Sequence, residues 1–296
     1  MSLQPTSHTF AANGVTLAVH DWGGGGAPVL LAHPTGFHGR IWAPIAERLV
    51  GHGRHVLSFD FRGHGDSSAP PLDEENYSWH GFADDARAVT RHLGLAGNPH
   101  LLVCGHSKGG AALLLGEAES PGTYPRIWTY EPILFPGEAP GRPDEEFGLA
   151  ISARRRRNEW PSIEAAFDAY ASKPPLNVMR ADALHAYVDY GLRDRGDGVF
   201  ELKCRPDVEA QIYSMAPNNG AWARLPDVRV PVRIVCGETS TDISPVFGER
   251  IAERIPDGTL EVMVQRGHFG PQEDPDAAVA SMLKFAASTE APPTRV

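Results

Sequence analysis

The feature that most restricts this fold is a series of short apolar runs, each followed by a helical pattern. Val29-Leu30-Leu31-Ala32 has no polar alternation, which marks a strand buried on both faces. Behind it, Trp42, Ile45 and Leu49 share one helical face within Trp42–Val50. Val15–Trp22 reads as an earlier strand. Val56-Leu57-Ser58-Phe59 precedes the amphipathic stretch Phe82–Leu95, and Leu101-Leu102-Val103-Cys104 precedes Ala111–Leu115. Alternation of this kind builds a mostly parallel sheet with helices on both faces. The expected fold class is α/β.

The rhythm breaks after Ile127–Tyr130. From Pro136 to Pro226 the sequence offers no β-α pair but four helix-like stretches: Glu145–Asn158, Ser162–Ser172, Ala181–Arg193 and Asp207–Ala216. Prolines 161, 174, 206 and 217 punctuate them, as proline bounds helices. Val232-Arg233-Ile234-Val235 restarts the sheet pattern, followed by helix Phe247–Ile255, strand Leu260–Val264 and helix Ala277–Ala287. The expected organisation is a core of residues 1–135 and 227–287, a helical cap over 136–226, and a frayed tail over 288–296. The cap should lie over the carboxyl ends of the strands, where open α/β sheets bind ligands.

Of the 296 residues, 42% are apolar, enough for a real core. Lys and Arg number 27 against 37 Asp and Glu, a net charge of −10, which argues against a nucleic-acid partner. Three cysteines do not make a disulfide framework. Cys204, between Lys203 and Arg205, is the one whose neighbours would lower a thiol pKa, although an ordinary reduced thiol is the plainer reading. Met1–Ser7 has no basic or apolar segment for secretion, and no run approaches the roughly 20 apolar residues of a membrane span. A cytoplasmic protein without a membrane partner is expected.

Gly105-His106-Ser107-Lys108-Gly109 matches G-x-S-x-G directly between a strand and a helix. A nucleophile on so sharp a turn needs small neighbours, and Gly105, Gly109 and Gly110 supply them. A serine needs a base, and the base needs an acid to hold its tautomer. His268, in Gly267-His268-Phe269-Gly270-Pro271, is the only histidine after His185 and falls between the last strand and the last helix. His106 shares the strained turn and is badly placed to serve. His33-Pro34-Thr35-Gly36-Phe37 ends a strand in a loop suited to oxyanion donors. Thr35 is the candidate there and the Lys108 amide the other, since Pro34 has no N–H. Two carboxylates compete for the acid. Asp242 follows the strand ending near Val235, but two residues later than a Gly-x-x-Asp spacing would put it, because that slot holds Ser240. Glu131, in Tyr130-Glu131-Pro132, follows an apolar strand and would be buried, which demands a partner. The balance tips to Glu131. Asp60 and Arg62 read as loop ties, and Arg154-Arg155-Arg156-Arg157 as a solvated helix face rather than an anion site.

On His33–Gly36, Asp60-x-Arg62-Gly63-His64-Gly65-x-Ser67, Gly105-x-Ser107-x-Gly109-Gly110 and Gly267-His268-Phe269, the chain resembles a capped α/β-hydrolase fold protein over nearly its whole length. The resemblance implies an eight-stranded, mostly parallel sheet, a helical cap after the sixth strand, and no cofactor. A serine nucleophile sets the chain apart from the haloalkane dehalogenase and epoxide hydrolase branches, which use a carboxylate. The expected activity is hydrolysis of a small or medium acyl substrate (ester, thioester, lactone or activated C–C bond) that is largely apolar. The alternative is a non-hydrolytic use of the fold, as a cofactor-independent oxygenase, lyase or small-molecule binder. Aromatic residues of the insertion, among them Trp160, Phe167, Tyr170, Tyr187, Tyr190, Tyr213 and Trp222, should partly line a pocket.

Overall fold

The computed structural model describes residues 3–136 and 148–289. Residues 145–147 of the first expected cap helix and the expected tail beyond residue 289 lie outside them. The chain opens with a hairpin of β1 (Thr6–Ala12) and β2 (Val15–Gly23). Its two turn residues, Asn13 and Gly14, sit at φ of 51° and 75°, the backbone that a two-residue hairpin loop requires. Strands β3 (Pro28–Ala32), β4 (His55–Asp60), β5 (Leu102–His106) and β6 (Ile127–Tyr130) follow. After short β7 (Glu159–Trp160), β8 (Leu192–Asp194) and β9 (Phe200–Leu202) come β10 (Val232–Gly237) and β11 (Gly258–Met263).

The main sheet has eight strands in the order β1-β2-β4-β3-β5-β6-β10-β11. Strand β2 runs antiparallel to both neighbours, and every pairing from β4 to β11 is parallel. Burial on both faces explains the continuous apolar runs. Leu30, Leu57, Phe59, Val103 and Ile234 face one layer, while Val29, Leu31, Val56, Leu102 and Val235 face the other. The helices are α1 (Ala43–Gly51), α2 (Trp79–His92), α3 (Lys108–Glu119), α4 (Gly148–Arg154), α5 (Ile163–Ala171), α6 (Ala181–Gly191), α7 (Pro206–Met215), α8 (Ala221–Arg224), α9 (Pro245–Glu253), α10 (Gly270–Glu273) and α11 (Pro275–Thr289). The first layer packs under α2, α3 and α9, and the second under α1 and α11. Serine caps start several of them: Ser78, Ser162 and Ser244 accept the amides of Gly81, Ala165 and Phe247.

Among the described residues, helices α4 to α8 lie between β6 and β10, with α4 packed on α7 and α5 on α6. Mainly helix was expected in this insertion, with no strands of its own; β7, β9 and β8 nonetheless form a small antiparallel sheet within it. The expected helix Ala181–Arg193 stops at Gly191 and continues as β8. Gly196 and Gly198, at φ of 85° and 84°, then turn the chain back into β9. Strands of two or three residues are too short to print a period on the sequence. Among the described residues no helix is long and apolar enough to cross a membrane.

Candidate active site

Strand β5 ends at His106 and α3 starts at Lys108, leaving Ser107 alone in the turn. Its φ of 54° and ψ of −117° are costly for an L residue and persist because the surroundings hold them. Its N–H donates to the Tyr130 carbonyl at 2.9 Å, and its own carbonyl accepts the Ala111 N–H at 3.1 Å. A Cβ on Gly109 would lie 2.3 Å from the Ala32 carbonyl oxygen, and one on Gly105 2.5 Å from the Gly110 nitrogen. Any larger residue at either position would push α3 off the sheet.

Ser107 opens onto a cavity of about 540 Å³. The core lines it with Thr35 after β3, Ser107 after β5, Ile133 after β6, Asp242 after β10 and His268 after β11. All of these follow the carboxyl ends of strands. The insertion contributes Leu149, Pro175 and Tyr213 to the same wall.

His268 Nδ1 lies 2.6 Å from Glu131 Oε2. Glu131 is fully buried, and its carboxylate also accepts the Gly237 N–H at 2.8 Å and the Ser240 hydroxyl at 2.7 Å. Three donors on one buried carboxylate compensate its lost hydration. With Glu131 on Nδ1, the imidazole carries its proton there and leaves Nε2 as the acceptor. Asp242 stands 3.8 Å from the same Nδ1, beyond hydrogen-bond distance, with its side chain 51% exposed. Of the two candidate acids, the fold brings Glu131 to His268 and leaves Asp242 on the rim. The histidine loop is itself braced, since Tyr130 donates its hydroxyl to the Gly267 carbonyl at 2.6 Å. Neither Tyr130 nor Ser240 was foreseen in these roles, although a serine in the acid slot was the visible sign for Ser240.

In the loop after β3, His33 donates from Nδ1 to the Pro34 carbonyl at 2.7 Å and accepts the Phe61 N–H on Nε2 at 3.0 Å. The Gly36 N–H is taken by His64 Nε2 at 3.2 Å and that of Phe37 by the Pro34 carbonyl. Pro34 has none, and among the described residues the Thr35 amide, beside the cavity, donates no hydrogen bond. Lys108 is the first residue of α3, and its amide belongs to the helical turn that lacks intrahelical acceptors. Burial holds both His33 and His64 well below the usual imidazole pKa, so both are neutral.

The Lys108 side chain does not enter the cavity. It is fully buried, with Nζ 3.3 Å from His64 Nε2 and over the rings of Phe61 and Phe82 at 4.3 and 4.5 Å. Among the described residues it has no carboxylate partner, and burial pushes its pKa down to about 7. Because the unfolded chain would hold this proton up to pH 10.5, it binds more protons than the native state between pH 7 and 10.5. Stability from this position therefore rises with pH across that window, and the full penalty applies below it. Lys108→Met is expected to be more stable than the parent by about 1–4 kcal/mol below neutrality. That gap should close as the pH approaches 10.5. Urea unfolding of both proteins across this range would read it, and a gap that does not change with pH would refute the account.

Cys204 is a buried free thiol, in keeping with the plainer reading, because burial raises its pKa despite the flanking cations. Asp60 and Arg62 tie loops: Asp60 accepts the amides of Gly39 and Asp66, and Arg62 makes a two-pronged pair with Asp85 at 2.8 and 2.6 Å. Of the four consecutive arginines, Arg156 is not a solvated surface charge. Its side chain is 18% exposed and paired with Glu209 at 2.8 Å. Among the insertion's aromatics, Tyr170, Tyr187 and Tyr213 line cavities, Trp160 is buried in the core, and Trp222 stacks on Phe247.

A model of the alpha/beta hydrolase family matches residues 29–282. The chain belongs to that family. The sn-1-specific diacylglycerol lipase ABHD11 of Mus musculus is 25% identical over 239 residues, covering 79% of this chain and 72% of that protein. The non-heme chloroperoxidase of Streptomyces lividans is 29% identical over 155 residues, 49% of this chain and 54% of that one. Among solved structures, E-2-(acetamidomethylene)succinate hydrolase superposes with a TM-score of 0.78 at 21% identity, covering 96% of this chain and 99% of that chain. At that identity the superposition speaks for the fold.

Proposed function

We propose that this protein is a serine hydrolase acting on a small or medium acyl substrate through Ser107, His268 and Glu131. The observation that carries the reading is the 2.6 Å contact from His268 Nδ1 to buried Glu131, in a cavity that also holds strained Ser107. Ser107 Oγ attacks the substrate carbonyl carbon while His268 Nε2 takes the hydroxyl proton. Glu131 holds the resulting imidazolium and keeps the ring turned toward the serine. The amides of Thr35 and Lys108 bind the tetrahedral oxyanion, a contribution of about 3 kcal/mol per donor. Collapse breaks the bond to the leaving group, which receives the proton from His268. Water then attacks the acyl-enzyme with His268 again as base, and Ser107 leaves with the proton returned.

An acid turned away from His268 would have favoured a lyase or a binding protein; the Glu131 contact supports hydrolysis instead. Ester, thioester, lactone and activated C–C substrates all stay within the proposal. The test is labelling by a fluorophosphonate serine probe, expected on the parent protein and abolished in Ser107→Ala. Labelling that survives this substitution refutes the reading. A panel of p-nitrophenyl esters left untouched, with clear thermal stabilisation by a ligand, would move the assignment to binding.

A further inference from the structure

Beside the cavity of Ser107 lies a smaller one of about 270 Å³, and the two share Leu149, Pro175, Tyr213 and Phe269 in their walls. They are two lobes of one cleft. The polar groups of the smaller lobe converge on Arg156. Its Nη1 donates to Glu209 Oε2 at 2.8 Å, and its Nη2 donates to the Tyr170 hydroxyl at 3.2 Å and to the Tyr187 hydroxyl. A guanidinium accepts nothing, so each phenol keeps its own O–H proton. Among the described residues neither proton has an acceptor. Lys173 adds an ammonium to the same wall and has no ion-pair partner among the described residues. Among the described residues, with Glu209 balancing Arg156, the lobe carries one net positive charge, that of exposed Lys173, and the free O–H donors of Tyr170, Tyr187 and Tyr213 over a largely apolar lining.

This lobe adjoins the reaction centre. A Cβ on Gly36, the residue after Thr35, would lie 2.3 Å from Glu209 Oε1 and 3.3 Å from Arg156 Nη1. The ion pair therefore rests on the backbone of the loop that carries the Thr35 amide. A substrate group held here would fix where the carbonyl sits relative to Ser107.

We propose that this lobe recognises a carboxylate on the substrate, so that the preferred substrates are acyl compounds bearing a second, anionic group. The inference rests on the hydrolase reading and adds to it a substrate class. A strut between helices would need only the Arg156–Glu209 pair; it would not need two hydroxyls with unused protons facing an open cavity. A neutral acceptor would satisfy the hydroxyls as well, but the positive charge of exposed Lys173 at the same wall favours an anion.

The test compares kcat/KM for three p-nitrophenyl esters of one acyl length: the glutarate monoester, its monoamide counterpart and the pentanoate. The parent protein is expected to favour the anionic ester over the pentanoate by at least about tenfold, the factor that one charge-assisted hydrogen bond provides. The double substitution Tyr170→Phe/Tyr187→Phe should lower that ratio by about tenfold, mainly through KM. Lys173→Met should lower it several-fold and weaken its salt dependence. Arg156 itself is left in place, because removing it would strand Glu209. Equal turnover of all three esters, or a loss in the tyrosine variant common to all three, overturns the inference. An amide hydrolysed as well as the anion overturns the choice of a carboxylate. Failure of hydrolysis is read separately, by the serine probe. If no ester turns over, thermal stabilisation of Ser107→Ala protein by glutarate monomethyl ester decides: stabilisation lost in the tyrosine variant supports the site, and none overturns it.

Discussion

Glu131→Gln is expected to lower kcat by about ten-thousandfold, the scale set by neutralising the acid of a comparable triad. Glutamine preserves shape and can still accept from the Gly237 amide, while the Ser240 hydroxyl must turn to accept from the new NH2 group. Its amide group, however, donates where the carboxylate accepts. Facing that donor, His268 holds its proton on Nε2 and cannot take one from Ser107. KM should change little, since Glu131 is buried behind the histidine and does not line the cavity. Asp242→Asn, by contrast, should stay within about threefold of the parent, because a half-exposed charge without a hydrogen bond to the ring contributes weakly. Steady-state kinetics on any ester that the parent turns over would decide. A severe loss in Asp242→Asn with a mild one in Glu131→Gln would reverse the assignment of the acid.

The contrast between those carboxylates shows what a sequence can hold. The parallel strands were legible because burial on both faces writes unbroken apolar runs such as Leu101–Cys104. Ser107 was legible because a strained turn demands glycines around it, and the geometry of Gly105 and Gly109 shows why. His268 stood out by its place in the chain order. The acid was harder, because the choice depends on which carboxylate is buried after β6 and β10 pack side by side, a distance between segments over one hundred residues apart in sequence. Still, a serine where an aspartate is usual was a real sign. Ser240 occupies that slot and donates to Glu131, so the two positions are chemically paired.

Other features left weaker traces. Strand β1 and its hairpin were not expected: although Asn13-Gly14 is a strong turn dipeptide, β1 is largely exposed and prints little apolar pattern. The short strands of the insertion are made by tertiary contact and carry no period of their own. Arg156 could not be told from Arg154, Arg155 and Arg157 by composition. Only the approach of α7, which brings Glu209, separates it from its neighbours. Local chemistry was readable wherever it imposes a constraint on adjacent residues, and unreadable wherever the constraint comes from a distant element.

The pairing of Ser240 with Glu131 predicts that the proposed acid can be moved. Ser240 Oγ and His268 Nδ1 reach the same oxygen of Glu131, at 2.7 and 2.6 Å. A carboxylate grown from position 240 would therefore enter the space that Glu131 Oε2 now fills. Glu131→Ala alone should be crippled by about ten-thousandfold, as for the glutamine variant. Adding Ser240→Asp to it is expected to recover about ten- to a hundredfold of that loss, by restoring an acceptor on Nδ1. The recovery stays partial because the new carboxylate lacks the Gly237 amide's present geometry. Ser240→Asp in the parent background should act in the opposite sense. Two carboxylates would then share one buried site, where like charges cannot both ionise, and both activity and stability should fall. The same substitution would thus harm the parent and help the Glu131→Ala protein. Measuring kcat/KM and the unfolding midpoint of all four proteins tests this directly; a double variant no more active than Glu131→Ala means that position 240 cannot present an acid to His268.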